Sequence, residues 1–165
     1  MNKELKKDLI KSARINGMCR FGKHAIRHAK DKDELAVHYK DFIVWQIHHD
    51  NPPEDILRKY FEGYCNEWAA VGTNAEFENQ PKVLLTCGAK GIVTYSVKKR
   101  GRVFVRHGSS LVLKAENGTM VVVSLYDDCT AHIEAEDGAR VYVFLHDFAS
   151  LKDTNNKKEI IISKK

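Results

Sequence analysis

The sequence contains no C-x-x-C pair; its four cysteines, Cys19, Cys65, Cys87 and Cys129, stand far apart. That spacing excludes a short-range zinc site and gives no sign of a disulfide framework. No apolar run approaches the ~18 residues that a bilayer-spanning helix requires. P-loop, G-x-G-x-x-G and H-E-x-x-H motifs are all missing, as is the H-x-H pair of a metal-dependent double-stranded β-helix enzyme. Met1–Lys11 carries too much charge for the apolar core of a secretory signal. These absences predict a cytoplasmic protein without a membrane partner, whose reduced thiols occupy ordinary core positions.

The chain has 165 residues, 43% hydrophobic and 30% charged, a balance that supports a folded core. Its net charge is +5, and much of the excess sits at the ends, in Lys3, Lys6, Lys7 and Lys11 and in Lys157, Lys158, Lys164 and Lys165. Basic ends solubilise more often than they recognise, so nucleic acid is a possible partner and not the favoured one.

The first part reads as helical. Leu5, Leu9 and Ile10 recur at helical spacing over 2–15, with Gly17 as the stop. A second helix is expected from Lys23 to Ala29. Asp31, with Glu34 three positions later, resembles the cap of a third, whose apolar stripe is Leu35, Tyr39, Phe42, Ile43 and Ile47. Asn51-Pro52 breaks that stripe, and a fourth helix starts near Pro52. Ile56, Tyr60, Tyr64 and Trp68 lie four apart, which predicts one packing face continued to Trp68. Gly72, Thr73, Asn74, Asn79, Gln80 and Pro81 then read as a linker, with a boundary near residue 80.

Beyond it the chain repeats. From Arg106 it stacks in units of ten: RHGSSLVLKA, ENGTMVVVSL, YDDCTAHIEA, EDGARVYVFL, HDFASLK. The second and third positions hold turn residues, such as Asn117-Gly118 and Asp137-Gly138. The fourth is small, and the sixth, eighth and tenth are aliphatic or alanine. Lys114, Ser124, Glu134, Arg140 and Lys152 occupy the intervening positions and suit solvent. The tenth position alternates Ala115, Leu125, Ala135, Leu145, and Glu116 matches Glu136, so the full period is two units, roughly twenty residues. Each coil then contributes two short strands facing across a narrow core.

An antiparallel meander is the alternative, because Asn-Gly and Asp-Gly favour hairpins. Parity opposes it. A two-residue loop pairs Glu116 with Thr119 on one face, whereas the apolar pattern sends Thr119 inward and Glu116 outward. A three-residue loop would repair the parity. Val83–Leu85, Ile92–Tyr95 and Val103–Val105 read as earlier strands outside the ten-residue frame, forming an irregular cap. Glu159–Ser163 reads as a last strand, whose lysine neighbours oppose edge-to-edge aggregation.

The run VVVSLYDDCTAHIEAEDGARVYVFLHDFASL resembles the Tyr-Asp-x-Ala-x-Val-x-Ala repeats of bacterial and phage β-solenoid proteins. The segment from Asn16-Gly17-Met18-Cys19 through Phe61 resembles the front half of uncharacterised proteins of gut anaerobes and their mobile elements. The resemblance implies architecture and carries no functional residues with it. Cys129 and Phe148 depart from the repeat, and the spacing is ten where eight is commoner.

Three constellations have chemical potential. His24 and His28 share one side of a helix at a metal-binding spacing, with His38, His48 and His49 nearby in sequence, yet no third ligand is identifiable. Tyr126-Asp127-Asp128 and His146-Asp147 fall one coil apart on one corner, where a hydrolase or isomerase would place acid–base groups; corner Asp residues also cap turns routinely. Lys98, Lys99, Arg100, Arg102 and Arg106 form the densest basic cluster, the three arginines sharing a strand face that could meet phosphates.

The expected architecture is α+β: a helical domain over 1–80, then a small β-solenoid over 81–165. The expected role is a non-enzymatic structural or protein-interaction module with a protein partner or a second copy of itself. No catalytic, cofactor or metal residue is assigned. A nucleic-acid-associated factor is the alternative.

Overall fold

The computed structural model describes residues 2–155 and 159–164, Asp153 by its backbone alone. The chain divides into two compact units, Met1–Phe61 and Glu62–Lys165, so the boundary precedes the one expected near residue 80. No helix among the described residues is long and apolar enough to cross a membrane.

The first unit holds α1 (Lys3–Ile15), α2 (Arg20–His28), α3 (Lys32–Asp41), α4 (Ile43–His48) and α5 (Glu54–Phe61). Asn2 caps α1 by accepting the Glu4 N–H at 2.8 Å, and Asp31 caps α3 by accepting that of Glu34 at 2.8 Å. α2 starts ahead of the expected Lys23 because Cys19 Sγ accepts the Gly22 N–H. The stripe of the third expected helix is split at Phe42, which ends α3 and precedes α4; Leu35, Ile43 and Ile47 are buried and Phe42 is exposed. Ser12 Oγ donates to Asn51 Oδ1 at 2.6 Å, and Asn51 Nδ2 donates to Gln46 Oε1 at 2.6 Å. This buried chain ties α1 and α4 to the turn before α5. α5 ends at Phe61, so Tyr64 and Trp68 do not extend its face. The left-handed backbone of Gly63 (φ 76°) ends the helix instead.

The second unit is a β-solenoid. Its strands are β1 (Ala69–Val71), β2 (Asn74–Glu78), β3 (Lys82–Thr86), β4 (Lys90–Tyr95), β5 (Arg100–Val105), β6 (Ser110–Ala115), β7 (Met120–Leu125), β8 (Thr130–Ala135), β9 (Arg140–Leu145), β10 (Ser150–Thr154) and β11 (Ile160–Lys164). The odd strands form a six-stranded sheet, β1-β3-β5-β7-β9-β11, and the even ones a five-stranded sheet, β10-β8-β6-β4-β2. Every strand pairing among them is parallel, which excludes the meander. Arg100 pairs with Met120 and Met120 with Arg140; Ser110 pairs with Thr130. The coil is therefore the twenty-residue unit of the sequence.

The frame also reaches further back than expected. Lys90 pairs with Ser110 and Arg100 with Met120, so β4 and β5 form a regular coil and not an irregular cap. The expected linker over 72–81 contains β2, paired in full with β4. β2 escapes the apolar pattern because Phe77 is its one fully buried side chain.

The core lies between the two sheets. Leu113, Val123, Ile133 and Val143 from the eighth position, and Leu111, Val121 and Val141 from the sixth, are almost wholly buried. Ser124 departs from its solvent expectation: it lies in register between Phe104 and Phe144 and is buried. Thr119, at the fourth position, is 1% exposed and its hydroxyl has no hydrogen-bond partner. A buried unpaired hydroxyl costs about 1–3 kcal/mol, and valine has the same shape without it. Thr119→Val is expected to raise stability by about 1 kcal/mol, read as a higher urea midpoint.

Candidate functional site

Polar side chains of the solenoid collect in two rows of corners. One row follows the odd strands, at residues 86–89, 106–109, 126–129 and 146–149. The other follows the even strands, at 96–99, 116–119 and 136–139. The rows use different backbones. In the first, the second residue is left-handed, Cys87 (φ 60°), His107 (54°), Asp127 (56°) and Asp147 (56°), and at Gly88 (81°) and Gly108 (66°) the third is as well. In the second it is the third residue alone: Lys98 (62°), Gly118 (74°) and Gly138 (83°). Left-handed backbone is strained for L side chains, and Asn, Asp and His tolerate it better than most. The two-unit rhythm of the sequence thus reflects two turn geometries.

Four of the corner carboxylates are already occupied. Glu116 Oε2 accepts the Val97 N–H at 3.0 Å, Glu136 Oε2 that of Asn117 at 3.1 Å, and Glu159 Oε1 that of Gly138 at 3.2 Å. Asp127 Oδ2 accepts the His107 N–H at 2.9 Å. Each carboxylate clamps the corner of the preceding coil, a role that requires its spacing and explains why Glu116 and Glu136 match.

His107 joins three successive corners. Arg106 Nη2 lies 2.6 Å from its Nε2, and Thr86 Oγ1 lies 2.9 Å from its Nδ1. A guanidinium can only donate, so Nε2 accepts and the ring proton sits on Nδ1, donated to Thr86. Both ring nitrogens are thereby engaged in holding the stack. Thr86, Arg106 and His107 are all buried. This cluster was hidden from sequence reasoning, since its members differ in type and only the twenty-residue register aligns them.

The proposed acid–base group does assemble in part. Tyr126 and His146 stack one coil apart, with centroids 4.3 Å apart and planes 10° apart. Face-to-face rings pack well, but proton transfer uses atoms in the ring plane, so the contact itself is not a relay. Burial raises the Tyr126 phenol above its ordinary pKa. Asp127 is committed to His107, and Asp147 is exposed.

No protein-family model, curated protein or solved structure matches the chain.

The other constellations resolve differently. His24 and His28 do share a side of α2, with ring centroids 4.1 Å apart, and both are exposed. Among the described residues, no three His, Cys, Asp or Glu side chains are arranged to hold a metal ion. His49 stacks on Trp45 at 4.3 Å and contacts His48. Arg100 and Arg102 share the outer face of β5, and Lys82 stands beside Arg102 in register. Arg106 does not join them. β5 ends at Val105, and Arg106 turns into the corner, 2% exposed, against His107.

Cys87 and Cys129 are buried core residues, as expected, while Cys19 and Cys65 are exposed. Burial pushes the Cys129 thiol up to about 12. Its thiolate fraction at about pH 8 is then ~10⁻⁴. Iodoacetamide at that pH is expected to modify Cys19 and Cys65 in the folded chain and to leave Cys129 intact, as read by mass spectrometry. Rapid modification of Cys129 would mean that the coils open.

Proposed function

We propose that this protein is a non-enzymatic interaction module, working in the cytoplasm, whose solenoid presents surface to another protein or to a second copy of the chain. The observation that supports this most is how the polar groups are used. Glu116, Glu136, Glu159, Asp127 and His107 are spent on binding neighbouring coils, whereas apolar side chains near the last coils stay exposed: Phe148 at 88%, Ile161 at 54% and Ile162 at 50%. Two of these lie side by side on β11, and adjacent exposed apolar residues favour recognition; a stacked repeat builds extended surface more readily than a pocket. The resemblance of the repeats to those of bacterial and phage solenoid proteins agrees with such a role.

The test is affinity capture with the full chain, followed by reconstitution of each captured protein from purified components. A complex of fixed stoichiometry, or a defined oligomer of the chain alone, is the expected result. A chain that stays monomeric at high micromolar concentration and reconstitutes with nothing overturns the proposal.

A second reading has one observation in its favour: Lys82, Arg100 and Arg102 lie together on the outer face of the six-stranded sheet, beside the corner lysines Lys98 and Lys99. Such a patch suits phosphates. Duplex binding that weakens steeply with salt, and is lost in Arg100→Ala/Arg102→Ala, would support a nucleic-acid-associated factor of a phage or mobile element. Lack of binding at low salt removes that reading.

A further inference from the structure

The two ends of the six-stranded sheet differ. At β1 the edge is closed by the chain itself: the Gly63 N–H donates to the Val71 carbonyl at 2.9 Å, the Val71 N–H to that of Tyr64 at 2.9 Å, and the Asn66 N–H to that of Ala69 at 3.0 Å. At the other end, β11 has β9 as its one neighbour among the described strands. The Val141 N–H donates to the Glu159 carbonyl at 2.9 Å, and the pairing then runs in parallel register from Ile160 with Val141 to Lys164 with Leu145. In a parallel ladder alternate residues bond to the same neighbour. Residues 159, 161 and 163 therefore turn their backbone groups to β9. The N–H and C=O groups of Ile160, Ile162 and Lys164 point to the open edge.

Side chains along this edge are also unfinished. Ile160 is buried, but Ile162 extends the core column of Val123 and Val143 and remains 50% exposed, with no described strand beyond β11 to cover it. Ile161, on the outer face beside Tyr142, is 54% exposed. An added strand with alternating apolar residues would cover Ile162 on the inward face, or Ile161 on the outer one, with its polar residues on the other face.

Charge selects among possible occupants. Lys164, Lys152 on β10 and Arg140 at the start of β9 are exposed. In sequence, β11 is flanked by Lys157, Lys158 and Lys165, with Glu159 as the one acid between Lys157 and Lys165. The Glu159 carboxylate is held by the Gly138 N–H. A second β11 would bring an equally cationic strand to this edge, whereas an acidic one complements it.

We propose that the free edge of β11 binds an extended acidic peptide of a partner protein as an added β-strand. The proposal rests on the interaction-module reading and names the chemistry of its partner. Main-chain hydrogen bonds at residues 160, 162 and 164 supply affinity, and the isoleucines and lysines supply selection.

The probe is a synthetic ten-residue peptide alternating valine with glutamate, measured against the full chain by fluorescence anisotropy. Two control peptides accompany it, one with lysine for glutamate and one N-methylated at alternate amides. The acidic peptide is expected to bind, and both controls to bind at least ~10-fold more weakly. Ile162→Pro removes an N–H that faces away from β9, so the strand tolerates it; it is expected to abolish binding with the melting temperature and far-ultraviolet spectrum retained. Lys164→Glu is expected to weaken the acidic peptide and favour the lysine peptide. Equal binding of acidic and basic peptides, or binding unaffected by Ile162→Pro, overturns the proposal. So does a dimer of the free chain that Ile162→Pro dissociates, because the occupant is then a second copy. In either case a reconstituted complex insensitive to Ile162→Pro leaves the interaction-module reading standing.

Discussion

Leu113→Ala is expected to lower the stability of the solenoid by about 3–5 kcal/mol. Leu113 is fully buried in the middle of the stack, in register with Val93 on one side and Ile133 on the other, both fully buried themselves. Parallel ladders hold those neighbours at fixed spacing, so the cavity cannot close by moving one strand. The loss is to be read from the urea midpoint of the β-sheet signal, with an unchanged slope if the coils unfold together. A smaller slope would mean that the cavity uncouples the coils on either side, as a one-dimensional array allows. A cost below about 1 kcal/mol would show that the site collapses and that the column is loosely packed.

Gly101→Val is expected to cost about 3 kcal/mol, a fall in melting temperature of roughly 10–20 °C for a unit of this size. Gly101 occupies the sixth, inward position, where later coils carry Leu111, Val121 and Val141. A Cβ there would run into the phenol ring of Tyr95. That ring is fully buried, and its hydroxyl donates to the Gln80 carbonyl at 2.7 Å, so it has nowhere to go. Burial also raises the Tyr95 pKa, keeping the phenol protonated as a donor. Tyr95→Val alone vacates the space and is destabilising in its own right. The pair Tyr95→Val/Gly101→Val is expected to be more stable than the two single costs predict, since each change accommodates the other. Additive costs would show that the ring and the glycine do not compete for the same volume. Gly91→Val, which meets the flexible tip of Leu85, is expected to cost less.

The same glycines explain how far the fold could be read from the sequence. From Arg106 to Leu151 every inward position is aliphatic or small, and period-two alternation with aligned turns identified the coil, its length and its inward side chains. Before Arg106 the period continues, but its sixth positions are Gly91 and Gly101 and one fourth position is Lys99, so a pattern built on apolar side chains stops there. The volume is supplied from the tenth position by Tyr95 and from Leu85, a compensation that only the packed structure displays. In the helical unit, four-residue spacing carried the aromatic stripe to Trp68, whereas the backbone at Gly63 ended it at Phe61. The corners were legible as turns. The donors that Glu116, Glu136 and Asp127 bind were not, because each lies a full coil away in the chain. Arg106 was misplaced because its parity matches Arg100 and Arg102, whereas β5 ends at Val105 and Arg106 opens the corner.

The unequal corners also constrain how such an array can change length. First-row corners all place a left-handed residue second, on Cys87, His107, Asp127 or Asp147, joined at Gly88 and Gly108 by a left-handed third residue, while second-row corners have it third alone, on Lys98, Gly118 or Gly138. Removing ten residues would transfer every later strand to the opposite sheet and present each bend with the wrong backbone. Removing twenty would keep both bends and both sheets in phase. Gain and loss of length are thereby quantised in whole coils, and the half-coil, although it is the unit most visible in the sequence, is not one that the molecule can exchange.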